Sequence, residues 1–249
     1  MDRILPMLSN LVSPYQMAFV PGQKGIDNAI IVQELVHTMS KMKGKGGFMA
    51  IKIDLEKAYN RLEWSFIRDT LALFKFPNHL ASLIMSCVST SSIFVLYNGD
   101  ALEPFLPLRG IRQGYPLSPY LFILCMEVLR APITKKCAAK LWDPIKAPRG
   151  GLAFSHLFFA NDPILIVKAN RKNCLIMRDV LDSFCSLSSQ NVSNAKSRVF
   201  FSPNVSTDTR VDLCEILEFR STSTLGKYLG FPINHSTMRQ DFGYIIEHI

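Results

Sequence analysis

The stretch SHLFFANDPILIV, residues 155–167, admits few conformations. Leu157, Phe158 and Phe159 are β-formers, and so are Ile164 to Val167. Between them Asn161 and Asp162 form a tight polar turn. The pattern predicts a hairpin that lifts one or two polar side chains above a buried sheet. A second β-prone run, Phe48 to Asp54, ends on a carboxylate. If the two runs lie side by side, Asp54 and Asp162 share one rim of the sheet. Two carboxylates at one rim suit a hard divalent cation.

The rest of the chain changes period around these runs. Residues 1–25 mix Pro6, Pro14, Pro21, Gly22 and Gly25 with scattered apolar residues, and read as loop with short helical pieces. Asp27 can cap a helix to about Met42, with Ile30, Ile31, Leu35 and Met39 at helical spacing. The lysines and glycines of residues 41–47 read as a solvated basic loop. Trp64, Ile67, Leu71 and Phe74 fit one helix face, which Pro77 stops. Leu80, Leu83, Ile84, Cys87 and Val88 form a second apolar stripe. Ile93 to Tyr97 reads as strand, followed by the hairpin signal Asn98-Gly99.

The loop from Arg109 to Pro119 comes next. Gly110 and Gly114 let backbone approach a ligand closely. Arg109, Arg112 and Gln113 offer donors to phosphate or base edges, and an ordinary surface loop fits the same residues equally well. Ser118 as N-cap and Pro119 at the first helical position start a helix that buries Leu121, Leu124, Cys125 and Val128. Pro132 should end or bend it. Beyond the central hairpin, Cys174, Met177, Leu181 and Phe184 mark another helix. Lys196 opens a strand to Phe201, Val211 to Leu217 reads as a short helix, and Tyr228 to Pro232 is extended.

With 48% hydrophobic and 19% charged residues in 249, the chain is globular and can bury a sizeable core. Its net charge of +8 favours a polyanionic partner. None of the cysteines forms a Cys-x-x-Cys pair, which argues against a zinc ribbon or thioredoxin-type site. Cys87, Cys125 and Cys174 read as small core residues in a reduced, intracellular setting, nucleus or cytoplasm. The histidines lack ligand spacing and read as structural. Pro6, Ser9 and Asn10 break up any signal peptide, and no run is long enough to span a membrane.

Taken in order, the motifs resemble the reverse transcriptases of non-LTR, LINE-type retrotransposons, the plant ones above all. The matching residues are Ala18 to Gly22, Lys52 to Tyr59, Gly110 to Gly114 with Pro116 to Pro119, Phe159 to Asp162, and Lys227 to Gly230. Any one is weak alone; the ordered set is specific. The resemblance implies an α+β fold, a right-hand polymerase palm whose antiparallel sheet packs on helices. Residues 1–47 would be partial fingers and 48–249 the palm, with the thumb absent or minimal. It implies RNA-directed DNA polymerase chemistry on an RNA template, a DNA primer and a dNTP. Two Mg²⁺ ions, about 3.5–4 Å apart, would stabilise the attacking and leaving oxygens. Asp54 and Asp162 would be metal ligands, with Asn161 and Asp162 in the paired-aspartate positions. Lys196 would lie near the triphosphate. Tyr59 would stack under the incoming sugar, and Arg112, Gln113 and Gly114 would seat template and nucleotide. Tyr228, Leu229 and Gly230 would lie near the primer end.

The departures from the family pattern carry as much meaning. Asn161 stands where an aspartate is usual, and its neutral amide binds Mg²⁺ poorly. Removing one unit charge about 4 Å from another is worth on the order of 4 kcal/mol at an effective dielectric near 20. That is roughly a thousandfold in rate if it is lost from the transition state. Pro163 deletes a ladder donor in the second strand. Asn60 and Tyr115 also replace usual aspartates, Gln23 an arginine and Ser189 a glycine. The family's upstream finger motif, endonuclease and thumb find no counterpart here. The expectation is a truncated, degenerate copy with little or no polymerase activity. A non-catalytic nucleic-acid-binding module is the alternative. A template-independent metal phosphotransferase, or a fragment that does not fold stably, are further ones.

Overall fold

A computed structural model describes residues 5–146 and 152–233. The chain opens with helices α1 (Leu5–Leu11) and α2 (Gly25–Ser40), then strand β1 (Phe48–Lys52). Helices α3 (Ala58–Arg61), α4 (Trp64–Leu73) and α5 (Asn78–Ser89) lead to a small hairpin, β2 (Leu96–Tyr97) and β3 (Asp100–Ala101). Helix α6 (Ser118–Ala138) precedes β4 (Ile145–Lys146), β5 (Ala153–Phe154), β6 (His156–Leu157) and β7 (Ile164–Lys168). Helix α7 (Arg171–Ser188), β8 (Arg198–Phe201), α8 (Thr207–Leu217), β9 (Arg220–Thr222), β10 (Lys227–Tyr228) and β11 (Phe231–Pro232) follow.

The five-stranded sheet runs β6-β7-β1-β8-β9, antiparallel except for the β8–β9 pair. Side chains alternate across a strand, and both faces of this sheet are covered. Met49 and Ile51 of β1, with Leu165, Val167, Val199 and Phe201, join one core with α4, α6 and α7. Ala50, Ile164, Ile166 and Phe200 face the other way, onto Val32, Leu35, Val36 and Met39 of α2. That double cover explains why β7 reads as an unbroken apolar run rather than an alternating one. Polar chemistry is confined to the rim where strands end.

Several expectations change in detail. Helix α6 runs straight through Pro132 to Ala138. The proline gives up one hydrogen bond, but Ile133 beyond it is fully buried and Lys136 pairs with Asp179 of α7, so tertiary contacts carry the helix on. Leu117, not Ser118, occupies the position before α6, and no side chain caps it. Asp27 lies in the first turn of α2 rather than at its cap. The break at Pro77 holds, since this residue caps α5. On α5, however, Ile84 and Met85 point inward while Leu83 and Cys87 are exposed. Helix α5 packs chiefly on α4, which covers a narrower strip than the apolar pattern suggests.

The ribbon from Ile93 to Phe105 turns at Asn98 and Gly99, both at positive φ as the hairpin signal requires. Its formal strands shrink to β2 and β3, and Phe94, Val95, Leu96 and Tyr97 are all exposed. No Lys or Arg occurs from Phe76 to Leu108, so the ribbon contributes nothing to the basic surface. Among the described residues no helix is long and apolar enough to cross a membrane.

His156 on β6 is almost completely buried against Tyr15 and Phe158, with Nδ1 at 2.8 Å from Ser155 Oγ. Burial, aided by the Arg130 charge, holds its pKa down from 6.5 to about 4. The native state therefore keeps this ring neutral while the unfolded chain protonates it. The stability this contributes is complete above pH 6.5 and is lost as pH falls toward about 4. The span corresponds to about 3 kcal/mol at 1.36 kcal/mol per unit. His156→Gln is expected to remove that part of the acid sensitivity, measured as the pH dependence of the urea unfolding midpoint relative to the parent.

Candidate active site

The rim is set by the pairing of β1 with β7. Lys52 lies opposite Ile164, and the next bond runs from Ile53 N to Pro163 O at 3.0 Å. One residue further, this register sets Asp54 opposite Asp162. The ladder itself stops at Lys52 because Pro163 has no N–H to return to Ile53. Asp54 has the parity of Ala50 and Lys52, and Asp162 that of Ile164 and Ile166, so both belong to the face that meets α2. Their electrostatics agree. Burial first, and then the Asp54 charge, push the Asp162 carboxyl up from its ordinary 3.8, while Lys52 pulls it down.

Asp54 is fixed from its other side by the segment entering β8. Its N–H donates to Ser197 Oγ at 3.1 Å, and its carbonyl accepts from Ser193 N at 2.8 Å. Lys196, next to Ser197 in the same loop, is exposed. The turn across from Asp54 is tight. Asp162 N donates to Phe159 O at 2.9 Å, and Ala160 takes a left-handed φ of 48°. Asn161 and Asp162 are both partly exposed at its end.

A second cluster is built by main-chain bonds between the α3 region and the Gly/Arg/Gln loop. Ile111 N donates to Tyr59 O and Gly110 N to Leu62 O, each at 2.8 Å. Trp64 Nε1 reaches Gly110 O at 2.8 Å. Gly110 has φ 87°, and a Cβ there would lie 2.8 Å from Asn60 O, so only glycine fits. Tyr59 is half-buried, its ring stacked on Phe122 with centroids 4.8 Å apart, and burial raises its hydroxyl pKa. Arg112 bonds Ser91 and sits over the Tyr115 ring, while Gln113 and Gly114 are exposed. Asn60, Ser91, Arg109, Arg112 and Gln113 line a cleft of about 350 Å³.

The β10–β11 hairpin reaches the rim from the α2 side. Lys52 Nζ donates to Lys227 O at 2.6 Å, and the Tyr228 hydroxyl donates to Asp162 O at 3.2 Å. Tyr228 is only 1% exposed, so its ring faces the protein; Leu229 and Gly230 form the outward turn at φ 53° and 83°. Sequence reasoning passed over Lys52 and Ser197 in this role. Lys52 carried a weak signal, a charged residue two positions before Asp54 and on its face. Ser197 carried none.

Two facing carboxylates that repel each other supply hard oxygen ligands for one Mg²⁺ ion. Among the described residues no group of three His, Cys, Asp or Glu converges.

A mixed α/β layout with an antiparallel central sheet and acidic residues at one rim defines a polymerase palm. The family model described as reverse transcriptase (RNA-dependent DNA polymerase) matches residues 1–233, and the chain belongs to that family. It is a reverse transcriptase domain of the non-LTR retrotransposon kind. The retrovirus-related Pol polyprotein of the type-2 retrotransposable element R2DM of Drosophila melanogaster is 28% identical over 169 residues, 68% of this chain. The chain spans 15% of the length of that relative. An uncharacterized mitochondrial protein of Arabidopsis thaliana is 39% identical over 70 residues, 28% of this chain and 57% of that protein. In fold, the apo telomerase of Candida tropicalis truncated from its C-terminal domain superposes with a TM-score of 0.57 at 15% identity, over 83% of this chain and 41% of that one.

Two tests follow from this geometry. Because the native Asp162 carboxyl holds its proton more tightly than the unfolded one, its ionisation opposes folding as pH rises above 3.8. Asp162→Asn is therefore expected to raise the melting temperature at neutral pH and to leave it unchanged well below that value. Gly110→Ala is expected to cost roughly 1–3 kcal/mol in urea unfolding through its left-handed strain and the clash with Asn60, and to alter Trp64 fluorescence as the indole loses its acceptor.

Proposed function

We propose that the chain is the polymerase core of a plant-type non-LTR reverse transcriptase whose nucleotidyl-transfer site is impaired at residue 161. Residues 1–47 contribute to the fingers, and the palm begins at 48. The observation that carries this reading is the pairing of Asp54 and Asp162 at one rim, with an amide at the adjacent Asn161. Asp54 and Asp162 would hold one Mg²⁺, with the Asn161 oxygen as a neutral donor. When bound, such an ion supplies positive charge at the phosphate oxygens.

The protein's own residues do the rest. Lys196 offers a second cation to the triphosphate from the loop that fixes Asp54. The Tyr59 ring, held flat on Phe122, offers a floor for the incoming sugar. Arg112, Gln113 and Gly114 line the template side, anchored to Tyr59 through Ile111. Leu229 and Gly230, at an exposed turn beside Lys52, suit the primer end, while Tyr228 supports that turn from beneath. RNA template, DNA primer and dNTP are the partners this arrangement fits.

A second reading, nucleic-acid binding without catalysis, draws on the net charge of +8. One experiment separates the two. Primer extension on an RNA template is measured with Mg²⁺ and with Mn²⁺ for the parent and for Asn161→Asp. The parent is expected to extend slowly or not at all. Restoring the carboxylate is expected to raise the rate by up to roughly a thousandfold. Efficient extension by the parent would overturn the impairment. Salt-sensitive RNA binding with no extension by either chain would favour the second reading.

A further inference from the structure

We infer that Gln16, Asn28 and Tyr228 are positioning residues that hold the 158–162 turn in the one geometry that aims Asp162 at Asp54. The catalytic meaning of this turn rests on the function proposed above; the clamp itself does not. These polar side chains come from separate places, the loop after α1, helix α2 and strand β10, and each is fully or almost fully buried, at 0%, 0% and 1% exposure. All converge on main-chain atoms of the same turn. Gln16 Oε1 accepts from Ala160 N at 3.1 Å and from Ala18 N at 3.2 Å. Asn28 Nδ2 donates to Phe158 O at 3.0 Å and to the Tyr228 hydroxyl at 3.3 Å. That hydroxyl in turn donates to Asp162 O at 3.2 Å. The entry of the turn is pinned as well, by Phe158 N to Tyr15 O and Met17 N to Phe158 O.

Two features say that this arrangement serves the turn rather than stability alone. First, the amides are used wastefully. Among the described residues Gln16 Nε2 and Asn28 Oδ1 are buried without a hydrogen-bond partner, a cost that an apolar residue of similar size would avoid. Second, the turn's own bond, from Asp162 N to Phe159 O, leaves Ala160 N, Phe158 O and Asp162 O to be held from outside. Ala160 sits at φ 48°, a strained region for a residue with a Cβ, and such strain persists only where the surroundings over-determine it. The exit of the turn is Pro163, which has no N–H to lock it into the β1 ladder. The Tyr228 hydroxyl takes over at the neighbouring carbonyl.

The test compares the parent with Tyr228→Phe and Gln16→Ala by residue-resolved amide hydrogen exchange in the absence of metal, and by Mn²⁺ titration. Tyr228→Phe removes one oxygen and keeps the ring, so it remains informative if Gln16→Ala folds poorly. Exchange at Ala160 and Asp162 is expected to rise roughly five- to tenfold, the factor a single buried hydrogen bond commands. The amides of β1 and β8 are expected to keep their parent rates, and Mn²⁺ affinity to fall roughly fivefold. Unchanged exchange in the turn would overturn the inference. So would a rise shared equally by β1 and β8, since that reports global destabilisation. If the turn loosens as expected while neither parent nor variants bind Mn²⁺, the clamp stands and the metal-site reading fails.

Discussion

Antiparallel pairing has a period of two, so a slip of one residue between β1 and β7 would send every side chain of one strand to the opposite face. Here the register joins Lys52 to Ile164, and it does three things at once. It buries Met49 and Ile51 with Leu165 and Val167 on one side, and Ala50 with Ile164 and Ile166 on the other. It also leaves Asp54 and Asp162 facing one another where the strands part. The apolar cores on both faces are thus what hold the carboxylates in place.

That confinement shapes the electrostatics of the rim. Asp162 sits between Lys52 and Asp54, one favouring its charge and one opposing it, with burial opposing it more strongly than either. A third carboxylate at position 161 would add to the repulsion in the absence of a cation. Asn161 relieves it. A neutral amide at 161 therefore leaves the metal-free rim easier to fold than a third carboxylate would. The buried amides of Gln16 and Asn28 run the opposite way, since each leaves half its hydrogen-bonding capacity unmet.

Local signals were read well where one rule acted alone. Pro77 ends one helix and caps the next. Cys174, Met177, Leu181 and Phe184 form the buried stripe of α7. Asn98 and Gly99 make their turn. Reading failed where a distant contact outweighed the local rule. Pro132 does not stop α6, because Ile133 and Lys136 have partners on other elements. Leu83 and Cys87 look like core by spacing, yet among the described residues nothing packs over that side of α5. Tyr228 looks like a surface contact in an extended piece, but its ring is buried and its hydroxyl serves a carbonyl 66 positions away.

By itself the sequence determined the local alphabet of this protein: which runs are β-prone, where the Asn98-Gly99 hairpin turns, which turn is polar, and that an amide stands at 161. Those properties depend on neighbours within a few residues, and the chain order states them. Only the tertiary structure decided the partners. The pairing of Asp54 with Asp162, the bond from Ser197 to Asp54, and the meeting of Gln16, Asn28 and Tyr228 on one turn all join residues far apart in the chain. Such contacts follow from how three layers pack around one sheet, and no run of adjacent residues encodes that packing.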